Sequence, residues 1–203
     1  LRGGFHVAPE DGVPPVRADR PAATLVLLGS IGGSLWPAFS ASPELADGLD
    51  HPLVRWSRRV IGGWAERLGA LPLFPFGGPP YLPFQRWAAR AEPLAPSPLG
   101  LFIHPDHGLW HAYRGALAFA EPLEVPPLVP RPSPCEGCAA RPCLTACPVG
   151  AFSRKGYDVQ GCAAHISVPA GGDCLQGGCL ARRACPVAPE LAYETAQAGL
   201  HMR

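Results

Sequence analysis

Eight cysteines, all between positions 135 and 185 of a 203-residue chain, are the residues with the most chemistry to offer. They form two groups, Cys135-x2-Cys138-x4-Cys143-x3-Cys147 and Cys162-x11-Cys174-x4-Cys179-x5-Cys185, and in each the last cysteine is followed by Pro-Val. A duplicated four-thiol motif is open to three chemistries. Structural zinc favours paired C-x2-C knuckles, of which only one is present. Disulfides suit an even count in an oxidising compartment, but they leave the repeated Cys-Pro ending unexplained, and no signal-peptide pattern is visible. Iron–sulfur ligation explains the ending. Three closely spaced thiolates wrap one corner of a cubane, and a fourth, after a short helical turn, reaches a neighbouring cluster while proline turns the chain away.

The first group resembles the run C-x2-C-x2-C-x3-C-P of bacterial dicluster ferredoxins, in which the fourth cysteine ligates the other cluster. Here it is lengthened by two residues from the stretch 139–142. That pattern implies one [4Fe–4S] cluster on Cys135, Cys138, Cys143 and Cys185, and a second on Cys147, Cys162, Cys174 and Cys179. Interleaved ligation ties both motifs into a unit whose folding draws on metal binding.

The eight-cysteine order, with Cys162 isolated between the denser groups, also resembles the ferredoxin module of epoxyqueuosine reductase. It is similar in order to that of the cobalamin-dependent reductive dehalogenases. Residues 103–110, followed by Arg114 and Gly115, are similar to an Ile-x-Pro-x-x-Gly-x-Trp hairpin of epoxyqueuosine reductase and to a segment of the B12-processing chaperone of the cobalamin C type. The resemblance implies an α+β chain: a small nitroreductase-like sheet-and-helix domain, then a bis-[4Fe–4S] ferredoxin-like domain. It implies electron transfer through two clusters toward a redox site or partner at the front domain, fed by a donor such as flavodoxin or ferredoxin reductase. The alternatives are a cobalamin-dependent reductase related to epoxyqueuosine reductase and a zinc-stapled binding module.

Outside the cysteines, His104 and Asp106 are the best acid–base pair, and His107, Trp110 and Arg114 are the candidates for holding a cofactor. His165 follows Cys162 closely enough to tune a cluster by hydrogen bonding. Arg141, Arg154, Lys155, Arg182 and Arg183 surround the cysteines and offset the negative charge of thiolate-bound clusters. Each also has a plain reading as a turn cap, packed side chain or solvated face.

The elements that position these residues are short. Glycine (24) and proline (27) are abundant, yet hydrophobic residues make up 47% and charged residues only 16%, the composition of a loop-rich folded chain. The expected parts are a domain over 1–120, a proline-rich linker over 121–134 and a cluster domain over 135–203. Within the first, residues 22–28 read as a strand ended by the glycines of 29–33, and 51–68 as a helix capped by Asp50. Residues 71–76 read as a strand, 83–91 as a helix and 99–120 as a β-hairpin. Net charge +1 gives no case for nucleic acid, and no apolar run spans a bilayer. A cytoplasmic location is the expectation.

Overall fold

A computed structural model describes residues 1–153 and 156–203. Along the chain lie β1 (Gly4–His6), β2 (Thr24–Ile31), α1 (Trp36–Ser40), α2 (Pro43–Ala46), α3 (Pro52–Leu68), β3 (Leu71–Leu73), α4 (Phe84–Ala91), β4 (Ala95–Pro96), β5 (Phe102–Ile103) and β6 (His111–Phe119). Then come α5 (Pro142–Thr145), β7 (Phe152–Ser153), β8 (Gly156–Tyr157), α6 (Val159–Ile166), α7 (Gly172–Gly177), α8 (Leu180–Arg183) and α9 (Thr195–Leu200). The fold is mixed α/β with small antiparallel sheets. Among the described residues no helix is long and apolar enough to cross a membrane.

The chain divides into two compact units. The first comprises Leu1–Ser30, Ser34–Pro93 and Ala112–Pro130. The second comprises Ile31–Gly33, Leu94–His111 and Arg131–Arg203, so the histidine-bearing turn belongs with the cysteines.

The first unit holds most of a four-stranded sheet of order β1-β2-β6-β3. Its buried centre joins Leu28 and Leu117 of the sheet to Ile61 and Ala65 of α3, with Phe74 and Phe119 packed around them. The i, i+4 spacing of Ile61 and Ala65 puts both on one face of α3. Gly69, left-handed at φ 65°, ends that helix by accepting the strained position that glycine tolerates. His51 rather than Asp50 occupies the N-cap, also left-handed, and Pro52 pre-sets the first turn. β2 runs past Gly29 to Ile31 instead of ending there. A side chain at 29 would meet the Ala112 carbonyl at 1.9 Å, so Gly29 is what lets two strands pass closely. Trp87 is fully buried and its indole N–H donates to the Asp11 carbonyl at 2.8 Å.

The expected hairpin over 99–120 forms only at its tip. His104 and Gly108 exchange both backbone bonds at 2.9 Å, with Gly108 at φ 55°. Below the tip the two arms part: β5 pairs with β4, and β6 with β2 and β3. The apolar runs on each side marked strands correctly but did not determine their partners.

Candidate metal centre

All eight cysteines are free thiols, and short helices set their positions. α5 starts on Pro142 after Arg141, which is left-handed at φ 41°. It carries Cys143 in its first turn and delivers Cys147 just past its end. α8 repeats the device: Cys179 stands at its N-cap and Cys185 follows its C-cap. The two helices pack on each other. Each Cys-Pro ending thus follows a single helical turn, the geometry that the repeated sequence motif asks for.

One recess is lined by Cys135, Cys138, Cys143 and Cys185, with Ile103 and Arg141 on its wall. The apolar cluster beneath is Leu99, Ile103, Leu109, Ala181 and Cys185. Burial pushes the Cys135 and Cys143 thiols up, and the neighbouring Cys185 acts next on both, ahead of Cys138. Cys185, the last cysteine of the second sequence group, therefore stands among the first three of the other.

The reciprocal set holds Cys147. Burial pushes the Cys179 thiol up, the peptide N–H groups of Arg182 and Ala181 oppose that rise, and Cys174 and Cys147 reinforce it. Tyr157 is raised to about 12, first by the hydrogen bond of its hydroxyl with Cys162 and then by burial, with Cys162, Cys179 and Cys147 contributing as neighbours. Cys162 rides on α6, whose N-cap Asp158 accepts the Gly161 N–H at 2.9 Å. Cys174 is buried on α7, and the chain enters that helix through Gly171, where a side chain would lie 2.1 Å from the His165 carbonyl. The Ala151 N–H donates to the Cys147 sulfur at 3.3 Å.

The histidine turn brings three imidazoles together beside Asp106. His104 is buried and stacks on His107, ring centroids 4.2 Å apart, with His111 edge-on at 6.2 Å. The His104 Nδ1 accepts the backbone N–H of Asp106 at 3.0 Å. The Asp106 carboxylate instead takes both its bonds from Arg131 at 2.6 Å, which holds its pKa below the usual range. Trp110 is buried, edge-on to Tyr193 at 5.3 Å. Arg114 belongs to the first unit, donating to Ser57 at 3.1 Å and lying over the Phe76 ring. His107 and Trp110 belong to the second unit. Arg154 and Lys155 lie outside the described residues. Tyr157 and Arg131 carried no sequence signal, because both act on partners brought near only by the fold.

Among the described residues no three His, Cys, Asp or Glu side chains converge on a single metal ion. A tetrahedral zinc site demands such convergence. A cubane does not, because each of its four thiolates binds a different iron and the sulfurs stand apart around the cluster. Cys135, Cys138, Cys143 and Cys185 share one apolar-walled recess, and backbone N–H groups reach the sulfurs of Cys147 and Cys179 in the other set, features that a cubane's ligands would use. Comparison with known protein families, with curated proteins and with solved structures gives no match.

Proposed function

We propose that this chain is an iron–sulfur protein that carries electrons through two [4Fe–4S] clusters, the first on Cys135, Cys138, Cys143 and Cys185 and the second on Cys147, Cys162, Cys174 and Cys179. The observation that carries the reading is the exchange of the fourth cysteine: Cys185 neighbours Cys135 and Cys143, and Cys147 neighbours Cys179. In a dicluster module such crossing holds two clusters close enough for electron passage. On this reading the second unit is ferredoxin-like in its ligation, and the first is a reduced nitroreductase-like companion that presents a redox site or partner surface.

Each bound cluster supplies one-electron redox chemistry. The chain's own residues hold and insulate it. Leu99, Ile103 and Leu109 form an apolar floor next to the first set, keeping water from the thiolates. The peptide N–H groups of Ala151, Ala181 and Arg182 donate to sulfur in the second set, which favours the more negative, reduced state. Arg141, exposed at the rim of the first recess, suits an acidic donor such as flavodoxin.

The test is anaerobic reconstitution with iron and sulfide, followed by metal and labile-sulfide analysis and EPR of the reduced protein. The account expects about eight irons and eight sulfides per chain, with the interacting signals of two neighbouring cubanes. Stoichiometric zinc without sulfide, or a single cluster, overturns it.

A further inference from the structure

Resting on that reading, we propose that Arg182 is a positioning residue that holds the midpoint potential of the second cluster above what its thiolates alone would set. Among the described residues its guanidinium is a tightly held cation beside the cysteines. Nε and Nη2 donate to the Leu109 carbonyl at 3.1 and 2.5 Å, and Nη2 also donates to the Tyr193 hydroxyl at 3.1 Å. The guanidinium carbon lies 4.6 Å from the ring centroids of both Trp110 and Tyr193. A planar, always charged fork is the group that such a slot accepts, and a lysine ammonium cannot reproduce it.

Two features tie this charge to the second set, although the Leu109 carbonyl that it holds belongs to the apolar floor of the first. Arg182 and Cys179 line the same recess, and the backbone N–H of Arg182 donates to the Cys179 sulfur. The recess of the first set contains neither Arg182 nor Tyr193, and its cation is Arg141. The two cations differ in solvation. Arg141 is exposed, so water and salt screen it. Arg182 is half-buried beside the Trp110 and Tyr193 rings, where the effective dielectric is lower and the same charge acts more strongly. Reduction adds one negative charge to a cluster, so a fixed cation stabilises the reduced form more than the oxidised form and raises the potential.

A purely structural pin also explains the contacts, because Arg182 ties α8 to the chain at Leu109 and Tyr193. The two roles separate in an EPR-monitored redox titration of reconstituted protein, with the second cluster's signal assigned by its loss in Cys174→Ser. Arg182→Gln is expected to lower the second midpoint potential more than the first, with Arg182→Lys falling between Gln and wild type. Tyr193→Phe, which keeps the charge and frees one arm of the fork, is expected to shift the same potential by less. Unchanged potentials in Arg182→Gln, equal shifts of both clusters, or Lys falling as far as Gln overturn the proposal. If Arg182→Gln does not load, an unchanged second potential in Tyr193→Phe overturns it. Wild-type protein that takes up no iron and sulfide refutes the dicluster reading itself, a result distinct from loaded protein with insensitive potentials.

Discussion

The two units bury different things. In the first, the centre is hydrocarbon: Leu28, Ile61, Ala65 and Leu117, closed by Phe74 and Phe119, with a 17-residue helix against a sheet. In the second, the buried cluster includes Cys185, and Cys135, Cys143, Cys147 and Cys179 pack against it. Its helices run from four to eight residues, below the length at which a helix sustains itself in water. A core that is part thiol gains little from burial and much from ligation, since each thiol must give up a proton and gain a metal bond to become a strong contact. On the dicluster reading, the first unit stands on its own packing and the second on what its cysteines would hold.

The widest break in that comparison comes from metal removal. Stripping iron from loaded protein with a chelator should abolish amide-exchange protection across α5 to α8 while α3 and the four-stranded sheet keep theirs. Equal loss in both units would remove the distinction. Next in size is Gly29→Ala, whose Cβ meets the Ala112 carbonyl at 1.9 Å. It should cost roughly 3 kcal/mol in the first unit, read by denaturant melts, while iron content per folded chain stays at the wild-type value.

Tyr157→Phe removes one hydroxyl bond to Cys162, worth about 1 kcal/mol. Its expected signature is faster bleaching of the second cluster in air, with the first unit's melting untouched. The smallest effect is in acid. Glu44 is held down to about 2 by its hydrogen bond with Arg59, against an ordinary 4.5. Its stabilising contribution is complete above about 4.5 and fades as pH falls toward about 2. Glu44→Gln should therefore flatten the pH dependence of the first unit's melting in that window, and an unaltered slope counts against the pairing.

The sequence was most readable where structure is local. The apolar period of α3, its Pro52 start and its Gly69 stop, and the amphipathic α4 all follow from residues within a turn or two of one another. Long-range choices were less readable. The runs on either side of residues 104–108 read as two arms of one hairpin, yet the arms leave for different sheets, because pairing depends on which strand is available in space. Gly29 read as a terminator because glycine usually is one, and only the approach of Ala112 shows why it sits mid-strand. The ion pair of Asp106 with Arg131, 25 residues away, left no mark in the sequence. The cysteine groups stood out in the sequence because their spacing and repeated Cys-Pro-Val ending are local to the chain. The aromatic slot around Arg182, assembled from Leu109, Trp110 and Tyr193, imposes none.

The crossed ligation is tested most directly by a pair of reconstituted variants compared by EPR. Cys147→Ser should damage the cluster shared with Cys162, Cys174 and Cys179, and Cys185→Ser the one shared with Cys135, Cys138 and Cys143. The opposite pattern, with Cys147→Ser costing the cluster of its own sequence group and leaving the other intact, would contradict the account.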